Sequence, residues 1–345
     1  MDLGRFNEVI AMWKCLNCDV ETDDERADCR GCGLIRIGPG TKEKYGILAG
    51  YLPQLSLIMR NQGFEHYFID ACAGSGTVMD LEKRVMMDGS PLIMAKTRQV
   101  VDERIRDKTT QQQVKCVYIE YEDKTFAHLK NAMNPYSNFT ECISGDCNNA
   151  LDSVLDRISS EKKSENHFAF VYIDPFGLGT PTIQERTLFR VLERPFTELL
   201  IHFSWEGVSR LTGYAKNVDD PSSRVSSTAR AFVKSLTSYL GEGWQDIERQ
   251  NLSPVRRRNA YVDLYVSRLK EHYRLTTHTE IPMGNQNPNY FLIFATRNGR
   301  GFEIMRKVIM STRLKGAQPL EAYQTPRADA LNVNPAQRSL EEYWS

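Results

Sequence analysis

Phe68-Ile69-Asp70-Ala71-Cys72-Ala73-Gly74-Ser75-Gly76 is the stretch on which the reading of this chain turns. An apolar run ends in a carboxylate and passes directly into a glycine-rich turn. Glycine tolerates positive φ and lets a ligand approach the backbone closely. A G-x-G alone also marks an ordinary tight turn, so its weight comes from its neighbours. A dinucleotide fingerprint needs a third glycine; that position is Met79, which disfavours a nicotinamide cofactor.

Around this stretch, apolar runs alternate with helical periodicity. Strands are predicted at 66–71, 115–120, 139–144, 167–174, 197–203, 273–281 and 289–296. Helices are predicted at 90–106, 123–133, 148–158, 261–272 and 301–312. Another, at 42–59, precedes the first strand, with Pro53 starting or kinking part of it. The run 167–174 is nearly all apolar, as in a parallel strand covered on both faces. The pattern implies an α/β fold, a doubly wound, mostly parallel seven-stranded sheet. Residues 37–40 read as a linker, the polar stretch 215–228 as an exposed loop, and the segment from 316 as an extended tail. Three regions result: 1–40, 41–315 and 316–345.

Four successive predicted strands end at an acid: Asp70, Glu120, Asp146 and Asp174. Ligands of such sheets bind outside the carboxyl ends of the strands. Any one of these acids reads equally well as a solvated loop residue, but four in register point to a shared site. At the second strand tip, Glu120 suits the two hydroxyls of a ribose. Asp146 suits the exocyclic amine of an adenine. Asp174-Pro175-Phe176-Gly177 offers a carboxylate, a carbonyl and an aromatic face. The same four residues also read as a plain tight turn.

The N-terminal region carries Cys15-x2-Cys18-x10-Cys29-x2-Cys32, four of the chain's 8 cysteines. Each C-x-x-C aims two thiolates at one point, and two such knuckles make a closed, structural Zn2+ site. So short a region folds only with its metal. Lys plus Arg and Asp plus Glu both total 44, so no global basic field draws the chain to nucleic acid, and any such binding uses a local patch. No stretch reads as a signal peptide or a membrane span, and the paired cysteines suit a reducing, cytoplasmic setting.

The layout resembles class I S-adenosylmethionine methyltransferases, a Rossmann-like superfamily. The resemblance implies that Asp70, Ala71, Gly74 and Gly76 surround the methionine part of the cofactor, Glu120 holds its ribose and Asp146 its adenine. D-A-C-A-G-S-G, G-S-P at 89–91, Tyr51-Leu52-Pro53 before the first strand, and D-P-F-G look closer still to the three-Cys-motif partner (TcmP) family over residues 41–312. D-P-F-G is also similar to the motif of amino methyltransferases acting on nucleic-acid bases. That likeness implies that Asp174, Pro175 and Phe176 orient a target amine. Trp13 ahead of the cysteines makes the N-terminal module similar to Ran-binding-protein zinc fingers, which bind single-stranded RNA or protein partners. The family's Asn is Thr22 here, and a plain zinc ribbon packed on the enzyme is an equal reading.

Cys72 reads as a small buried filler, and Arg256-Arg257-Arg258 as either a phosphate contact or a solvated run. His202, Trp205 and Glu206 follow the fifth strand and border the expected pocket. The functional expectation is S-adenosylmethionine-dependent methylation of an exocyclic amine in RNA or DNA. The alternative is a non-catalytic methyltransferase-like partner that recruits protein or RNA through its zinc module.

Overall fold

The two knuckles are braced by a short antiparallel pair, β1 (Met12–Lys14) and β2 (Glu21–Asp23), in which Trp13 faces Thr22. β3 (Ile35–Ile37) leads into α1 (Pro39–Asn61), whose first turn holds Pro39. There proline's missing N–H costs nothing, because that donor has no partner within the helix. Pro53 lies inside an unbroken helix. Residues 12–23, 28–80, 82–104, 114–161, 167–175, 183–215, 223–281 and 290–315 are described in this computed structural model.

The chain continues through β4 (Glu65–Asp70), β5 (Thr77–Asp80), β6 (Val85–Asp88), α2 (Ser90–Arg104), β7 (Val114–Glu120), α3 (Asp123–Met133), β8 (Thr140–Ser144), α4 (Cys147–Ser160) and β9 (His167–Ile173). Next come α5 (Glu185–Glu193), β10 (Thr197–Ser204), α6 (Trp205–Ala215), α7 (Ser223–Leu240), α8 (Trp244–Arg249) and α9 (Pro254–Lys270). β11 (Leu275–Ile281), β12 (Tyr290–Thr296) and α10 (Gly299–Lys315) follow.

Seven strands form one sheet in the order β11-β12-β10-β9-β4-β7-β8. Only β12 runs against the others, pairing antiparallel with both β10 and β11. From β4 the chain winds outward to β7 and β8, then returns to β9 and winds the other way. This is a Rossmann-like doubly wound sheet whose direction reverses between β4 and β9, where such folds open a crevice at the strand ends. Every residue of β9 and β10 is buried, as strands covered on both faces require.

Alternation of side chains divides the core. Ala169, Val171 and Ile173 join one cluster with α4, α5 and α9, while Phe168, Phe170 and Tyr172 face α1, α2 and α10. The same parity on β10 puts Leu200 on the α1 side and Leu199 and Ile201 on the other. Asp174 and His202, two residues beyond Tyr172 and Leu200, therefore lean toward α1, and this register assembles the site.

Two expectations are corrected. Residues 37–40 are not a linker: Ile37 is buried and paired with Asp80, and Pro39 and Gly40 open α1. Part of the polar stretch 215–228 is helical, because α6 extends to Ala215 and α7 begins at Ser223. Residues 216–222 lie outside the described residues, as do Phe176, Gly177 and the tail from 316.

Candidate active site

The glycine turn at the tip of β4 does not enter a helix. After Gly76 the chain forms the β5–β6 hairpin, and α2 starts only at Ser90. Gly74 and Gly76 take φ of 66° and 77°, the left-handed region that glycine favours. Asp70 is wholly buried; its Oδ1 accepts from the Cys72 N–H at 3.2 Å, the Ser90 side chain stands beside the carboxyl, and Oδ2 makes no well-formed hydrogen bond. Burial pushes this carboxyl up to about 7. An orphaned buried carboxylate oxygen is costly unless a ligand satisfies it.

Glu120, at the tip of β7, accepts from the Gly74 N–H at 2.8 Å and from the Glu122 N–H at 2.9 Å. It ties the glycine turn to the neighbouring strand and keeps lone pairs for further donors. Beyond β8, Gly145 has φ of 149° with open space where a side chain would stand. Asp146 then caps α4, its Oδ1 accepting from the Asn148 N–H at 2.7 Å. The residues expected to hold a cofactor thus ring the tips of β4, β7 and β8. An unsatisfied acid, a positive-φ turn and an uncrowded glycine all fit a nucleoside-bearing cation.

Asp174 sits on the other side of the crevice, at the tip of β9. The Lys44 ammonium donates to both its oxygens, at 2.8 and 2.7 Å, and the Tyr172 hydroxyl donates to Oδ2 at 2.7 Å. His202 Nδ1 lies 2.6 Å from Oδ1 at ion-pair distance, on an approach too bent for a hydrogen bond. Burial alone would raise the Asp174 carboxyl, but the Lys44 ammonium on both its oxygens outweighs it and holds it well below the usual carboxylate range. Burial, then the Lys44 charge, lower the His202 imidazole, so it is neutral at pH 7. Tyr45 pairs with Ser90 at the start of α2, and burial followed by the charges of Asp174 and Asp70 raises its hydroxyl.

A cavity of about 280 Å³ opens beside Asp174 and Pro175. Lys44, His202, Arg210 and Tyr290 line it, together with β3 from the N-terminal module. Tyr290 lies against the His202 ring with centroids 4.6 Å apart and donates to Glu206 at 3.1 Å. His202 and Glu206 thus border this cavity, whereas Trp205 faces a separate one of about 350 Å³ between α6, α8 and α9.

Lys44, Tyr45, Tyr172 and Tyr290 were not singled out from sequence. Tyr172 was within reach, two residues before Asp174 and so on the same face of the strand. Lys44 lies 130 residues from its partner and had no local signal. The three arginines at 256–258 do not join the site as a group. Arg257 pairs with Glu248 at 2.6 Å and Arg258 with Glu280 at 3.1 Å. Cys72 meets the Cys147 thiol; that contact and burial raise it well above its ordinary value, so it is a packed thiol and no nucleophile.

Cys15, Cys18, Cys29 and Cys32 bring their sulfurs within 4.8 Å of one another. Two Sγ pairs are 3.7 and 3.5 Å apart, near the edge of about 3.8 Å that follows from Zn–S bonds of about 2.3 Å in a tetrahedron. Backbone N–H groups of Asn17 and Gly31 donate to Cys15 and Cys29, steadying thiolates as metal knuckles require. The residues fit a structural Zn2+. Thr22 is buried and donates to Cys29 Sγ, so this side chain serves the cluster.

No family model matches the sequence, and no curated protein does. Solved structures of similar path include protein LPL1258 from Legionella pneumophila, at 8% identity and TM-score 0.41, over 81% of this chain and 94% of that one. The O-methyltransferase TomG from Streptomyces achromogenes, solved with SAM, has 14% identity and TM-score 0.33, over 72% and 78%. An O-methyltransferase from Bacillus cereus, solved with SAH, has 15% identity and TM-score 0.31, over 75% and 81%.

Proposed function

We propose that the chain is an S-adenosylmethionine-dependent methyltransferase whose target, an exocyclic amine of a nucleic-acid base, enters the cavity at Asp174. The observation that carries this reading is the pair of half-sites across the point where the sheet reverses. Asp70, the Gly74–Gly76 turn, Glu120 and Asp146 stand on one side, and Asp174, Pro175 and the cavity on the other. When bound, the cofactor supplies an electrophilic methyl group on a sulfonium.

Asp70 would take the cofactor's ammonium with its unpartnered oxygen, and Glu120 would accept from ribose hydroxyls while holding the turn. Asp146, already capping α4, would meet the adenine through its second oxygen. The Pro175 carbonyl, without a partner among the described residues, would accept from the target amine. Phe176 remains the proposed stacking platform. Arg36 and Arg210 line the cavity and suit a phosphate-bearing substrate, while Tyr290 offers an aromatic face.

Calorimetry with S-adenosylhomocysteine tests the reading. Wild-type protein is expected to bind, and Asp70→Ala to lose about 1.5–3 kcal/mol, the worth of a charged hydrogen bond. Absence of binding to folded, metal-loaded protein would remove the cofactor from the account. Tritiated methyl transfer to bulk tRNA and rRNA then tests the substrate class.

A further inference from the structure

The Asp174 carboxylate offers about four lone-pair directions. Lys44 uses both oxygens, Tyr172 uses Oδ2, and His202 Nδ1 faces Oδ1. Little capacity remains for an amine, yet transfer to an amine or hydroxyl releases a proton that some group must receive. We infer that His202 Nε2 is that proton acceptor and that Asp174 acts through it as a positioning residue. The inference rests on the methyl-transfer reading.

Four observations place His202 in this role. Its ring is almost wholly buried and lines the same cavity as Pro175. Its Nδ1 lies 2.6 Å from the Asp174 carboxylate, whose negative charge repels a bare nitrogen lone pair and so favours the proton on Nδ1, leaving Nε2 as the acceptor. Nδ1 is the ring nitrogen buried against Asp174, and no hydrogen bond to Nε2 is formed among the described residues. Tyr290 covers one ring face and fixes its plane.

The proton balance closes without another reactant. The nucleophile's lone pair forms the new bond to the methyl carbon, the C–S bond breaks with its electron pair going to sulfur, and the N–H proton passes to Nε2. The imidazolium so formed stands beside the Asp174 carboxylate and later returns its proton to water. The charged and titratable groups around it are Arg36 from β3, Lys44 and Tyr45 from α1, Tyr172 and Asp174 from β9 and its tip, and Glu206 and Arg210 from α6, with Tyr290 from β12. Burial and then Lys44 oppose protonation of the resting ring and Asp174 favours it, leaving the free base at neutral pH.

Histidine-selective 15N labelling tests this directly on the full chain, with His202→Asn to assign the signal among the 6 histidines. The expected spectrum at pH 7 is a neutral ring protonated on Nδ1, titrating only below pH 6.5. A neutral ring protonated on Nε2, or an imidazolium at pH 7, would overturn the inference. Kinetically, His202→Gln is expected to lower tritiated methyl transfer to bulk RNA by about 10²–10⁴-fold while leaving S-adenosylhomocysteine affinity unchanged. The acid limb of the wild-type rate should follow the imidazole titration. Full activity in His202→Gln would also sink the idea. If the wild type binds no S-adenosylhomocysteine, the methyl-transfer reading fails. If bulk RNA accepts no methyl, the substrate class fails, and the tautomer spectrum still decides the histidine's state.

Discussion

Asp70 and Asp174 are the same residue type at equivalent strand tips, and their surroundings push them in opposite directions. Asp70 has burial without a cation, and its carboxyl rises to about 7. Asp174 has Lys44 beside it, and its carboxyl falls well below the usual range. On the proposed reading, Asp70 gives up a proton when it takes the cofactor's ammonium. S-adenosylhomocysteine affinity should rise as pH passes from 6 to 8 and then level off, and Asp70→Asn should flatten that rise. Equal slopes in the two proteins, measured by calorimetry in buffers of matched ionisation heat, would refute this. For the buried ion pair, removing one partner strands the other. Lys44→Met should destabilise the fold by about 3–5 kcal/mol in urea unfolding, with part of the loss recovered in the Lys44→Met, Asp174→Asn double variant.

The β5–β6 hairpin changes what the glycine turn does. It pairs β5 parallel with β3, Ile35 against Val78, and carries Met79 into the apolar cluster around Trp13, Cys15 and Cys29. The Ile35 N–H donates to Ser75 Oγ at 3.1 Å, and the Gly89 N–H donates to the Gly76 carbonyl at 2.8 Å. A Cβ on Gly89 would stand 2.5 Å from that carbonyl oxygen, which is backbone and cannot swing aside. Gly89→Ala should thus displace the turn and weaken S-adenosylhomocysteine binding by about tenfold, or 1.4 kcal/mol, with α2 still formed by circular dichroism. Unchanged affinity would show that the hairpin hinges independently of the turn. The hairpin was not legible in the sequence because its strands have four residues each and the Val-Met-Met of β6 reads equally as helix.

The N-terminal module and the sheet domain share structure across residue 40, the boundary drawn from composition. The Gly33 backbone lies against Thr125 so closely that a Cβ would fall 2.6 Å from its amide nitrogen, and Lys124 donates to the Arg30 carbonyl at 2.8 Å. Through β3 the module also lines the cavity at Asp174. Stripping the metal should therefore reach both half-sites. Dialysis against a chelator is expected to lower the Tm and to weaken S-adenosylhomocysteine binding, with both restored by Zn2+. Metal-free protein that binds with unaltered affinity would make the module a bystander.

Periodicity alone supplied the seven strands, their parallel character and the four acids at their tips, because buried strands and strand-end ligands leave local patterns. Spacing alone also supplied the four-cysteine cluster, since each knuckle closes within a few residues. What each acid does was decided by partners distant in the chain. Lys44 reaches Asp174 from α1, His202 reaches it from β10, and β3 reaches Ser75 from the cysteine module. These pairings depend on how layers stack and which face a strand turns, and no stretch of sequence carries both halves of such a contact. The residues marking the site are thus local in the chain, while their charge, protonation and division of labour belong to the fold.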